Sequence, residues 1–245
     1  MVLLRSWLFY LGLAMATLVF APIGLVLLAA PFTFRYRVMS RWAAFNLRWL
    51  KLTCRLDFQV QGRENIPPGS AVILCKHQSA WETLALQMVF PPQVWVLKRE
   101  LLWIPIYGWG LASMKPISID RRAGAGALRR IVREGCKRLR EGLWVVIFPE
   151  GTRVVPGERG QYQPGGGMLA AHCGRPVVPV AHNSGWFWPR KSLRKWPGTI
   201  TMVVGPPIQP DNLSAAEITH LAENWIETTV ARLPGRPGSN HVPRA

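Results

Sequence analysis

His77 and Glu82 stand five positions apart in the run His77-Gln78-Ser79-Ala80-Trp81-Glu82. An imidazole beside a carboxylate is a base-and-orienter pair. The neutral ring takes a proton as a nucleophile attacks, and the carboxylate fixes the tautomer and steadies the imidazolium. On one regular helix, five steps of about 100° leave the two side chains about 140° apart. They meet only if the chain turns between them. The apolar run 71–75 before the pair reads as a strand and 83–88 after it as a helix, so a strand-to-helix turn supplies the bend. The same letters also spell a helix capping box, with Ser79 as N-cap and Glu82 reaching back to its amide.

Ligands of α/β sheets gather at the carboxyl ends of the strands, so the residues that follow each apolar run matter most. Runs at 71–75, 94–97, 116–119, 144–148, 177–181 and 199–204 read as strands. Lys98-Arg99-Glu100-Leu101 follows the second, Asp120-Arg121-Arg122 the third, and Glu150-Gly151-Thr152-Arg153 the fourth. Gly151 permits positive φ or a close backbone approach, Thr152 offers a hydroxyl, and Arg153 carries a planar fork that suits phosphate oxygens. Each cation has a plainer reading. Arg153 fits a surface arginine in a charged loop, Arg121 a partner of Asp120, and Lys98 a solvated strand end. Together these turns would collect cations and a candidate base along one sheet edge.

Between the strands lie helical patterns, the clearest at 124–141 with Gly142 as its stop and another capped by Ser214 and Glu217 with a Leu213–Ile218 staple. Strands alternating with helices predict an α/β fold, a mixed, largely parallel sheet flanked by helices. That domain is expected over 57–233, after amino-terminal membrane-associated helices at 1–56 and before a disordered Pro/Gly/Arg-rich tail at 234–245.

Hydrophobic residues make up 49% and charged ones 18%, enough for a substantial core. Lys and Arg outnumber Asp and Glu 30 to 13, so the chain carries +17 and favours anionic partners. Twelve Trp tilt that choice towards an anionic membrane surface and away from nucleic acid. Cys54, Cys75, Cys136 and Cys173 stand far apart without CxxC or Cys/His clustering, which argues against a metal site and against a disulfide framework. Reduced, mostly buried thiols are expected, as in a cytoplasm-facing catalytic domain.

Positions 6–34 carry no charge, and about 20 apolar helical residues cross a bilayer core. Pro22 and Gly24 interrupt the run, which leaves a dipping hairpin as open as a span. Arg35, Arg37 and Arg41 follow it against a lone Arg5 before, which places the main domain in the cytoplasm. A second helix over 38–56 carries Trp42, Phe45, Trp49, Leu52 and Leu56 on one face, apart from a stripe of Arg and Lys. Such a helix suits the plane of a membrane, or else an ordinary core contact.

These motifs resemble, in order, the blocks of the glycerolipid acyltransferase family, in particular the lysophosphatidic acid acyltransferases. His77 to Glu82 is similar to the histidine–four residues–acid block. Lys98 to Gly108, continued by Ile119-Asp120-Arg121, resembles the second, Phe148 to Arg153 the third, and Val177 to Val180 the fourth. The likeness covers roughly 57–210. Two positions depart from it: Glu82 where the family usually has Asp, and Gln163 where it often has a lysine. The resemblance implies transfer of a fatty acyl group from acyl-CoA or acyl carrier protein to the sn-2 hydroxyl of lysophosphatidic acid, giving phosphatidic acid at a membrane. It implies His77 and Glu82 as catalytic, Arg153 with Arg121 and Lys98 on the acceptor's phosphate, and Glu150, Gly151 and Thr152 near the glycerol. No metal or cofactor is implied. Another lyso-lipid acceptor, a thioesterase using the same pair on water, and a basic binding protein are the alternatives.

Overall fold

In the computed structural model, which describes residues 1–236 and 238, the six apolar runs form strands β2 to β7 and are joined by one more strand. β1 is Leu56–Gln61, β2 Val72–Cys75, β3 Gln93–Lys98, β4 Ile117–Ile119, β5 Trp144–Ile147, β6 Val177–His182 and β7 Gly198–Val204. They form a seven-stranded sheet in the order β1-β7-β6-β2-β5-β3-β4. Among the described residues, β6–β7 is the one antiparallel pair of these strands. The central strands β2, β5 and β6 are buried at every position, which is why they read as unbroken apolar runs. β1 is an edge strand whose apolar residues alternate with Asp57, Gln59 and Gln61, so no such run marks it.

Alternation along the strands sends residues to two cores. Ile73, Cys75, Val146 and Val178 face one side, and Val72, Leu74, Val145 and Ile147 the other. The first side is covered by α2 (Phe32–Cys54) and α3 (Trp81–Val89), the second by α5 (Ala125–Arg140), α6 (Gly165–Cys173) and α8 (Ala215–Arg232). The short helices α4 (Tyr107–Ser113) and α7 (Ser184–Phe187) stand in connections. Gly142 takes φ 79° just past α5, and Ser214 and Glu217 close a full capping box on α8.

α1 (Val2–Val26) runs back along α2 as a hairpin. Arg35 ties the turn together: its guanidinium donates to the carbonyls of Leu27, Leu28 and Ala30, and across to Ser113. Trp49 donates from its indole to the Leu8 carbonyl at 3.1 Å and packs where a side chain at Gly12 would collide with it. Trp42 donates to the Thr17 hydroxyl. The two tryptophans therefore face α1 and not an open membrane surface, while Phe45 and Leu52 remain exposed and Leu56 belongs to β1. The ridge of α2 that meets the core is Tyr36, Met39, Ala43, Leu47 and Leu50. Among the described residues, Val2–Ala29 is the one helical stretch long and apolar enough to cross a membrane, and much of its outer face, including Leu4, Trp7, Leu11 and Met15, is exposed.

Two expectations change. Cys136 on α5 and Cys173 on α6 form a disulfide, while Cys54 and Cys75 are free and buried. Helix packing brings the first two together across 37 positions of sequence, a proximity that spacing alone does not reveal. The expected tail at 234–245 begins attached: Pro234 accepts from Asn183 and Arg236 lies 4.0 Å over the Trp196 ring. Residues 237 and 239–245 fall outside the described ones.

Candidate active site

β2 lies beside β5 and runs parallel to it, so the turns that leave their carboxyl ends are neighbours. The first carries His77. The chain bends over residues 76–80, and α3 starts at Trp81 with Glu82 in its first turn. That bend brings the imidazole onto the carboxylate, with His77 Nδ1 2.8 Å from Glu82 Oε1. An ionised carboxylate only accepts, so Nδ1 carries the proton and Nε2 keeps the basic lone pair. The ring stacks on Phe148 at 4.1 Å and 17°.

Glu82 is fully buried and also collects the amides of the turn. Oε1 accepts from the backbone of Gln78 and Ser79, both at 2.9 Å, and Oε2 from the hydroxyls of Ser79 at 2.8 Å and Ser184 at 3.2 Å. The capping and catalytic geometries thus coexist on one carboxylate. The capping box is altered in detail: Ala80 occupies the N-cap, and the Ser79 hydroxyl accepts from the Trp81 amide. Burial pushes the Glu82 carboxyl up, but the neighbouring imidazoles of His182 and His77 and the hydrogen bonds it accepts outweigh burial and hold it at about 2. His182 is itself buried; burial lowers its pKa, and its Nε2–H donates to the Lys76 carbonyl at 2.7 Å. That imidazole lies edge-on to Trp81 and packs beneath the site.

His77 opens onto a cavity of about 720 Å³. The amino-terminal hairpin contributes apolar lining through Phe20, Ala21, Met39 and Trp42. Lys98, Arg121, Gly151, Thr152 and Arg153 line the same cavity, so five of the six candidate binding residues are brought together. Gly151 has φ 67°, which favours glycine, and leaves the Arg121 guanidinium alongside it. Desolvation lowers the Arg121 pKa. Asp120 accepts from the Arg122 amide and pairs with Arg99 and Arg122 instead.

Glu150 is the residue the geometry places elsewhere. Its side chain is buried away from the cavity, with Oε1 2.7 Å from Lys76 Nζ and Oε2 accepting from the His77 amide at 2.8 Å. Lys76 is entirely buried and also bound to Glu227. Position alone distinguishes it from any other lysine in the sequence: it directly precedes His77, and strand parity turns it to the opposite face. Arg190 and Lys191 also line the cavity. Their basic run is visible in the sequence, but it follows β6 at a distance, past α7, so a search of immediate strand ends passes it by. Among the described residues no group of three or more His, Cys, Asp or Glu side chains is placed to hold a metal ion.

The model of the family described as Acyltransferase matches residues 57–183, from β1 to just past β6. The chain belongs to that acyltransferase family. Its match takes in both turns that build the site and leaves the amino-terminal hairpin and α8 outside. A Pseudomonas aeruginosa protein named 1-acyl-sn-glycerol-3-phosphate acyltransferase is 41% identical over 94% of this chain and 91% of its own length. A coconut protein of the same name is 27% identical over 92% of this chain and 73% of its own. Among solved structures, that of the Thermotoga maritima protein titled 1-acyl-sn-glycerophosphate (LPA) acyltransferase, PlsC, superposes with a TM-score of 0.78 over 96% of this chain and 97% of that one. At 21% identity that likeness concerns the fold, and it extends over the amino-terminal hairpin as well as the sheet.

Proposed function

We propose that this acyltransferase moves a fatty acyl group from a thioester to the sn-2 hydroxyl of lysophosphatidic acid, forming phosphatidic acid. The observation that carries the reading is the His77–Glu82 contact in the wall of a cavity lined by both apolar and cationic side chains. The relative 41% identical along nearly the whole chain bears the name of the same activity.

An alcohol is a weak nucleophile at neutral pH, so its proton must leave as its oxygen attacks. Nε2 of His77 accepts that proton while the hydroxyl oxygen bonds to the thioester carbonyl carbon. Glu82, kept ionised, steadies the imidazolium. The tetrahedral intermediate then expels sulfur, which takes the proton from Nε2 and departs as the free thiol. Neither a serine nor a cysteine nucleophile is needed. Arg153 and Arg121 meet the acceptor's phosphate, Lys98 assists from the same rim, and Thr152 contacts the glycerol. Glu150 holds the turn in place of touching substrate. The apolar side chains of the cavity wall take an acyl chain. Acyl-CoA or acyl carrier protein supplies that chain, and the exposed apolar face of α1 seats the enzyme on an anionic membrane with the sheet on the cytoplasmic side. Nucleic acid has no part in this reading.

Incubation of the purified protein with an acyl-CoA, with and without lysophosphatidic acid, tests it. Thiol release that requires the acceptor, with phosphatidic acid as product, is expected. Equal release without acceptor would identify a thioesterase. Arg153→Ala is expected to raise the acceptor KM about tenfold with the donor KM unchanged, the loss of one charge-assisted contact.

A further inference from the structure

Lys76 puts an ammonium where no water reaches it: its side chain is 0% exposed. Burying such a charge costs several kcal/mol unless it is paired and its donors are satisfied. Two of its contacts lead towards the candidate active site. Nζ donates to Glu150 Oε1 at 2.7 Å, to Glu227 Oε1 at 2.8 Å and, more weakly, to the Glu158 carbonyl at 3.4 Å. The other oxygen of Glu150 accepts from the His77 amide, and the His77 carbonyl accepts from Val154 at 2.8 Å. Glu227 Oε1 in turn accepts from the Tyr162 hydroxyl at 2.8 Å. Tyr162 precedes Gln163, whose amide donates to the Pro149 carbonyl and closes the loop that carries Thr152 and Arg153. One carboxylate of α8 therefore holds both the main chain of the base and the foot of the acceptor loop. A second tie, Arg159 to Glu223 at 2.8 Å one turn earlier on α8, lies at the surface.

We propose that Glu227 is a positioning residue for catalysis, and that α8, outside the family-matched 57–183, sets the place of the His77 ring through Lys76 and Glu150. The proposal rests on His77 being the base. Removing the Glu227 charge leaves Lys76 a single carboxylate and weakens the hold on Tyr162, whose hydroxyl then donates to a neutral oxygen. The bond from Glu150 to the His77 amide then loses its fixed anchor, and the ring shifts relative to the acceptor hydroxyl. A misplacement of about 1 Å costs up to about 10²-fold in rate.

The test uses the full chain in detergent micelles with lysophosphatidic acid and acyl-CoA. Glu227→Gln keeps the shape and removes the charge. It is expected to lower kcat about tenfold while both KM values stay within about twofold. Glu223→Gln, which breaks only the surface tie, is expected to keep kcat within about twofold. Unchanged kcat in Glu227→Gln overturns the proposal. So does a loss that vanishes when the assay is cooled in step with a lowered melting temperature, since that marks a role in stability alone. If Glu227→Gln fails to fold, Tyr162→Phe replaces it, with a drop of about threefold in kcat expected and no drop overturning the proposal. His77→Ala runs beside them. Full activity there sinks the reading of His77 as base, whereas an inactive His77→Ala with a normal Glu227→Gln sinks only the role of α8.

Discussion

Two buried glutamates stand at the ends of two adjacent parallel strands, and they do opposite things. Glu82, after β2, binds the imidazole of His77; Glu150, after β5, binds the same residue's backbone amide. Glu82 is surrounded by donors, and its carboxyl is held well below the usual range. Burial raises that of Glu150, and the neighbouring Glu227 raises it further, against the pull of Lys76 and the His77 amide. Both are buried, and they differ in that the partners of Glu82 outweigh its burial while those of Glu150 do not. One is bound to the ring of His77, and the other to its main chain and to Lys76.

Substitution should separate the two. Glu82→Gln removes the charge that steadies the imidazolium and frees the tautomer, so kcat is expected to fall about 10³-fold, read by steady-state acyl transfer. Glu150→Gln keeps an acceptor near the His77 amide but leaves Lys76 short of a counter-charge. A fall of about tenfold in kcat with a lower melting temperature is expected there. Equal losses in the two variants would erase the distinction.

Acid titration of stability sharpens the contrast. The folded Glu82 carboxyl lies at about 2 against 4.5 when unpaired. The unfolded chain then binds the extra proton, so this stabilisation is complete above about 4.5 and is lost as pH falls towards 2. Its size is about 3 kcal/mol at most. Glu150 has the opposite sign, because its folded pKa is raised. The folded chain binds the extra proton there, so its contribution falls as pH rises from 4.5 through the raised value. Denaturant unfolding against pH should show Glu82→Gln flattening the acid limb and Glu150→Gln flattening the limb above it.

Much of this was legible in the sequence. Six strands were visible because strands buried on both faces are written as apolar runs, and β1 was not, because an edge strand mixes Leu56, Phe58 and Val60 with polar neighbours. The turn around His77 could be argued from the angle between positions five apart. What remained hidden depended on contacts between distant segments. Lys76 and Glu227 stand 151 positions apart, and only the fold brings α8 to the residue after β2. Glu150 looked like a substrate contact because it shares a turn with Thr152 and Arg153, yet the backbone sends it inward. The tryptophans of α2 looked ready for lipid, but α1 takes them instead.

The central claim is that His77, held by Glu82, removes the acceptor's proton. Acceptor-dependent thiol release by folded His77→Ala, in the same micelles as the parent protein, tests it most directly. The account predicts loss of at least about 10³-fold in kcat with the acceptor still bound. Activity near that of the parent would contradict it.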